Sequence, residues 1–231
     1  MLFELAKKLS FIQNIVVDMQ TSLHPSIMHN LGKIEMIKKA MWHCELEGIT
    51  GDYFEFGIYE GTSLYAAVKA HKKINSAYKR NFYGFDSFDE GFKYFDTKDK
   101  HPYFKEGDFV SSYEKVLRRF RKFPHVKLIK GYFEETTTTP EAKNIYGDNK
   151  CAIIFIDCDL MHPAGVALEY VYPILQPGSI IILDDYFAYK GAEDLGTSGA
   201  LRAFQEKHPT VKVREFSDYG YGGKSFVVTS L

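Results

Sequence analysis

Cysteine is scarce in this 231-residue chain: the three present, Cys44, Cys151 and Cys158, are odd in number and show no CxxC spacing. That pattern speaks against a disulfide framework and for small core residues in a reducing compartment. An excess of charge of either sign is also lacking, with 29 basic and 30 acidic residues and a formal net charge of −1. The basic stretch from Lys115 to Lys122 is interrupted rather than massed, so no nucleic-acid partner is expected. No long apolar run exists either. The N-terminal segment MLFELAKKLSFIQNIVVDMQ carries Glu4, Lys7, Lys8 and Asp18, which breaks any signal-peptide or membrane-spanning core. A cytoplasmic protein without a membrane partner is expected.

What the chain does have is a series of short apolar runs, rich in Ile, Val, Phe and Tyr, each ending on acid. Glu55 lies in YFEFGIYEG and Asp86 in FYGFDSF, while Asp157 and Asp159 follow AIIFI and Asp184 and Asp185 follow SIIIL. Runs without polar alternation read as strands buried on both faces of a parallel sheet, and ligands of such sheets sit beyond the strands' carboxyl ends. Strands are expected at 52–56, 81–85, 126–129, 151–156 and 179–183. Helices are expected at 60–73, 111–123, 139–146, 163–174 and 198–207, which gives a doubly wound α/β sheet. Two last runs, VKVREF and KSFVVTS, flank the glycine-rich SDYGYGG, so a C-terminal antiparallel hairpin completes seven strands. Two amphipathic helices precede the sheet, the second with Leu31, Ile34, Ile37 and Met41 at helical spacing. The chain therefore divides into a helical extension over 1–48, able to cover a cofactor or pair in a homodimer, and one catalytic domain over 49–231.

The first strand leads into Glu55-x-Gly57-x-x-x-Gly61 and then Thr62 and Ser63 at a helix start. A dinucleotide fold would use GxGxxG to seat a pyrophosphate. One close glycine approach beside an acid suits a ligand with an ammonium group and no phosphate, such as S-adenosylmethionine. Asp86, at the next strand end, is placed to accept ribose hydroxyls or else to cap the turn at Ser87. Gly131, Tyr132 and Phe133 follow the third strand and either enclose an adenine or serve the core and turn. Asp157 and Asp159, one residue apart, point the same way, and Asp184 and Asp185 can join them at a turning strand end. Carboxylates without a His or Cys partner suit a hard cation, above all Mg²⁺.

The segments EFGIYEGTS, YGFDSFDEG, GYFEETTTTP, FIDCDLMHPAGVALEYVYPILQPGSIIILDDY and ALRAF resemble the macrocin O-methyltransferase family over roughly residues 51–204. The resemblance implies a Rossmann-like class I methyltransferase sheet, S-adenosylmethionine as donor, Mg²⁺ dependence and a hydroxyl of a sugar or glycosylated small molecule as acceptor. By motif, Asp157, Asp184 and Asp185 match the metal ligands and Asp159 the general base. His162 is a competing base whose alternative is a surface position at a helix start. Met161, where an aromatic is usual, and the segment KGAEDLGTSG depart from the family pattern. The long loop FDEGFKYFDTKDKHPYFKEGDF reads as a lid or binding loop, with Phe92, Tyr94, Phe95 and Tyr103 able to cover a saccharide. Two rival readings are a nicotinamide-dependent oxidoreductase on a similar sheet and a non-catalytic binding protein of the same fold.

Overall fold

A computed structural model describes residues 2–94, 99–140, 142 and 145–231, with side chains from residue 9 onward. Its sheet comprises β1 (Asp52–Phe56), β2 (Phe82–Asp86), β3 (Val126–Lys130), β4 (Cys151–Ile156), β5 (Ile180–Leu183), β6 (Lys212–Tyr219) and β7 (Gly223–Ser230). The order is β3-β2-β1-β4-β5-β7-β6, and β7 alone runs antiparallel to its neighbours. The hairpin therefore adds β6 at the edge and places β7 inside it. Because the chain leaves β1 toward β2 and β3 and returns to β4 on the other side, the crevice between β1 and β4 is the topological switch point.

Every residue of β1, β2, β4 and β5 is buried, which is why these strands show no polar alternation. Successive side chains of β1 go to opposite faces. Phe54 and Phe56 join Tyr83, Phe85 and Leu168 on one side, while Tyr53 joins Ile153, Leu64 and Ile37 on the other. The first face is covered by α6 (Met161–Val171) and α7 (Gly196–Lys207), and the second by α2 (Pro25–Leu46) and α3 (Thr62–Ile74). Cys44 and Cys151 are buried core residues, and all three cysteines are free thiols.

Helix α2 is integral to this core through Met36, Ile37, Ala40, Met41 and Cys44, whereas α1 (Leu2–Ser22) exposes Leu9, Ile12 and Val16. The inward face of α2 differs from the expected stripe, because Leu31 is 53% exposed. The cause is close packing one residue later: a Cβ on Gly32 would lie 2.6 Å from the Gly220 amide, so the helix turns Gly32 rather than Leu31 toward the β6–β7 turn. A short helix, α5 (Phe133–Thr136), follows β3, where no helix is expected from the sequence. The helix expected over 139–146 falls partly outside the described residues, at 141, 143 and 144. Thr139 Oγ accepts the Ala142 amide at 3.0 Å, the capping bond expected of a hydroxyl before Pro140. Helix α4 (Tyr113–Phe120) is shorter than its expected span at both ends. Among the described residues no helix is long and apolar enough to cross a membrane.

Candidate active site

A cavity of about 820 Å³ opens at the carboxyl ends of the parallel strands. Gly57 and Tyr59 after β1, Asp86 and Ser87 at β2, and Tyr132 and Phe133 after β3 line one half. Asp157, Asp159, Asp184 and Asp185 line the other, beside His29 and Lys33 of α2. Tyr59 (φ +49°), Asp159 (φ +62°) and Asp185 (φ +49°) are left-handed non-glycine residues on its wall. Such conformations cost on the order of 1–3 kcal/mol each and cluster where a site over-determines the backbone.

The turn after β1 is glycine-built for a steric reason. Gly57 has φ +88°, and a Cβ there would collide with the backbone carbonyl of Asp157 across the β1–β4 crevice. Asp86 uses both oxygens on this turn. Its Oδ2 accepts the amides of Ile58 at 2.8 Å and Tyr59 at 2.7 Å, and its Oδ1 accepts that of Phe88 at 2.6 Å. Burial pushes its pKa up against those three amides. Asp86 thus welds the first turn to the second while remaining on the cavity wall, where Oδ2 has both lone pairs engaged and Oδ1 keeps one for a ligand.

Glu55 is placed differently. It is fully buried on the α3 side, where Tyr53 donates to Oε2 at 2.6 Å and Ser63 donates to Oε1. Neither Glu55 nor Gly61, Thr62 or Ser63 is among the lining residues. Burial lifts the Glu55 pKa from 4.5 to about 7 in spite of both hydroxyls. Between those values the native state holds a proton that the unfolded chain has lost. Stability therefore falls as pH rises through that window, by roughly 3 kcal/mol in all. Urea unfolding at pH 5 and pH 8 should show this loss in the wild type and a flatter profile in Glu55→Gln; equal profiles would mean that Glu55 does not titrate there.

The acid cluster contains a residue the sequence reading missed. Lys33 Nζ lies 2.7 Å from Oδ2 of both Asp157 and Asp184. Burial disfavours its charge, but the two carboxylates outweigh burial and raise its pKa. Asp184 also accepts His29 Nε2 at 3.1 Å on Oδ2 and Tyr219 Oη at 2.8 Å on Oδ1. Against its own burial, Lys33 and His29 hold Asp184 well below the usual carboxylate range, while burial and the neighbouring Asp184 push Asp157 up. The Tyr221 amide donates to His29 Nδ1 at 3.2 Å, which suits the neutral tautomer with its proton on Nε2. Burial and the charge of Asp185 likewise push Asp159 up. A signal for Lys33 was present: it lies four residues before Ile37, so a lysine falls on the apolar face of its own helix.

Two further residues were not singled out. Asp99, buried in the long loop, accepts the Met161 amide at 2.6 Å and the Gly196 amide at 3.3 Å, tying that loop to the starts of α6 and α7. Glu134 lies on the cavity wall with carboxylate oxygens that are buried and accept no hydrogen bond; His162 Nε2 stands 3.3 Å away. His162 itself is half exposed at the start of α6 and lines a second cavity, not the one that holds the acids. Of the loop aromatics, Phe92 and Tyr103 line the acid cavity. Tyr94 anchors its own loop, donating to the Phe104 carbonyl at 2.9 Å. Phe95 lies outside the described residues.

His29, Asp184 and Asp185 each place one donor atom within 4.8 Å of the others, an arrangement that could hold a metal ion. The set differs from the all-carboxylate one expected, since His29 contributes a nitrogen and Asp157 is not part of it. The carboxylate oxygens of Asp184 and Asp185 suit a hard cation and fit Mg²⁺ in chemical type, and the Lys33 ammonium shows that the Asp157–Asp184 pair attracts positive charge.

Comparison with known proteins identifies the family. The family model described as Macrocin-O-methyltransferase (TylF) matches residues 22–211. A mycinamicin III 3''-O-methyltransferase of Micromonospora griseorubida is 26% identical over 180 residues, 71% of this chain and 67% of that protein. A calicheamicin methyltransferase of known structure superposes with a TM-score of 0.66 at 19% identity, covering 86% of this chain and 79% of the other. An O-methyltransferase of tomaymycin synthesis from Streptomyces achromogenes, solved in complex with S-adenosylmethionine, superposes with a TM-score of 0.56 at 12% identity, covering 85% and 80%. The sheet is that of class I O-methyltransferases, and the chain belongs to the macrocin O-methyltransferase family.

Proposed function

We propose that the protein transfers a methyl group from S-adenosylmethionine to a hydroxyl of a sugar or glycosylated small molecule, with Mg²⁺ held at the acid cluster. The observation that carries this reading is one cavity, at the β1–β4 switch point, walled by Asp86 on one side and by four strand-end carboxylates on the other. Membership of an O-methyltransferase family and the sugar-modifying relative support the reaction and the acceptor class. The nicotinamide alternative finds no GxGxxG and no support among these relatives.

In this reading Asp86 accepts the ribose hydroxyls, Tyr132 and Phe133 enclose the adenine, and the buried Glu134 oxygens, which accept no hydrogen bond, offer its amino group an acceptor. Glu55 supports the turn through Ser63 rather than touching the ligand. S-adenosylmethionine supplies a sulfonium-bound methyl group and leaves as the neutral thioether. Asp184 and Asp185, with Asp157, would hold Mg²⁺, which supplies polarisation of the acceptor hydroxyl. Asp159, beside Asp185 on the cavity wall, takes the hydroxyl proton. Phe92 and Tyr103 cover the acceptor and exclude water. Methyl transfer from labelled donor to a panel of deoxysugar glycosides tests this. Asp159→Asn should lose about a thousandfold or more in kcat while His162→Gln stays within a few fold; the reverse order would make His162 the base.

The exposed Leu9, Ile12 and Val16 recur at spacings of three and four on α1, and we assign that face to a second copy of the chain. Sedimentation should give twice the chain mass of 26.5 kDa for the wild type and one chain mass for Ile12→Glu; a monomeric wild type would remove the dimer.

A further inference from the structure

We infer that Lys33 is a resident cation of the acid cluster: its ammonium group stands between Asp157 and Asp184, and a divalent ion shared by those carboxylates must displace it. Lys33 thereby sets the affinity of the metal site. The inference rests on the reading of these carboxylates as Mg²⁺ ligands.

Both cations would compete for the same two oxygens. Lys33 Nζ is 2.7 Å from Asp157 Oδ2 and 2.7 Å from Asp184 Oδ2. Mg²⁺ would take such oxygens at about 2.0–2.1 Å. An ammonium and a divalent ion competing for the same two oxygens repel each other at close range in a poorly solvated site, so one excludes the other.

Nor is this a surface lysine that has drifted onto nearby acids. Its side chain is 13% exposed, and its helix is locked where it enters the site. Gly32 abuts the Gly220 backbone, His29 Nδ1 accepts the Tyr221 amide, and Ser225 Oγ lies 3.3 Å from the Met36 sulfur. The backbone of α2 thus delivers Lys33 to one place, while the flexible side chain remains free to swing into the adjoining cavity, which it lines. The ion-free protein then keeps Asp157 and Asp184 compensated, and metal loading releases an ammonium group toward the acceptor.

The test is Mn²⁺ binding, read by electron paramagnetic resonance at fixed pH with S-adenosylhomocysteine present, for wild type, Lys33→Met and Lys33→Arg. Removing a competing buried charge should tighten Mn²⁺ binding about tenfold or more in Lys33→Met, whereas Lys33→Arg should bind no tighter than wild type. Equal affinity in wild type and Lys33→Met overturns the inference and leaves the Mg²⁺ reading standing. Binding by none of the three overturns the Mg²⁺ reading and this inference with it. Weaker binding by Lys33→Met also overturns the inference, since the lysine would then assist the ion. If Lys33→Met is unfolded in chelator, refolding on addition of Mn²⁺ supports the exchange of cations. Failure to refold counts against it, because a residue whose loss the ion cannot offset is not standing in the ion's place.

Discussion

Asp184→Asn should cost about 3–5 kcal/mol of stability and about a thousandfold or more in methyl transfer. Asp184 receives three donors from two separate elements: Lys33 and His29 from α2, and Tyr219 from the β6–β7 hairpin. It also lies at the end of a fully buried strand, with Thr197 at the start of α7 donating to its carbonyl at 2.8 Å. Removing the charge leaves the Lys33 ammonium with Asp157 alone, in a setting where an under-compensated charge is expensive. The loss should therefore appear as loosening of α2 and the hairpin together. Hydrogen exchange would show reduced protection in both segments, and exchange confined to the β5 end would mean that Asp184 does not couple them. Asp185→Asn is the useful contrast, because its side chain is partly exposed. It should lose activity on a comparable scale with little change in melting midpoint.

Gly57→Ala should damage folding on the same scale as Asp184→Asn, at about 4 kcal/mol or more, or roughly 10 °C in melting midpoint for a domain of this size. The new Cβ meets the Asp157 carbonyl, and neither strand end can yield. The Gly57 amide donates to the Phe85 carbonyl at 2.9 Å, and the Asp157 amide donates to the Phe56 carbonyl at 2.8 Å. The φ of +88° adds strain for any L side chain. Since the same turn supplies the Ile58 and Tyr59 amides to Asp86, protein that still folds should bind S-adenosylhomocysteine at least about a hundredfold more weakly. A variant with wild-type melting and wild-type binding would show that the β1–β4 crevice has room for a Cβ.

The contrast between what was legible and what was not follows from the physics of each element. Strands β1 and β4 could be bounded to the residue, because burial on both faces leaves uninterrupted apolar runs that end abruptly where the chain meets the cavity. The hairpin was legible from glycines between two β-branched runs, although nothing local indicated that β7 would insert between β5 and β6. The acid cluster was legible as a set of strand ends. Its electrostatics were not, because Lys33 and His29 arrive from more than 120 positions away in sequence, as separations of 124 and 155 residues attest. Reading carboxylates alone suggested a site in need of a cation, whereas the fold already supplies one to Asp157 and Asp184. Glu55 shows a different limit: an acid beside a glycine turn reads as a ligand contact, and the alternation of β1 sends its side chain to the α3 face and onto Ser63. The short helix α5 was not expected, because Gly131, Tyr132 and Phe133 read as a turn or an adenine wall and four threonines follow Glu135. In the structure Thr136 and Thr137 instead donate back to the Tyr132 and Phe133 carbonyls.

The measurement to make is calorimetric titration of S-adenosylhomocysteine into wild type, Asp86→Ala and Asp157→Ala, each with Mg²⁺ and with chelator. Micromolar binding by wild type, a loss of about a hundredfold in Asp86→Ala and a change of no more than a few fold in Asp157→Ala would place the donor over the β1–β2 half of the cavity and the acids beside it. Absence of binding by wild type, or equal binding by Asp86→Ala, would contradict the placement of a methyl donor at this crevice.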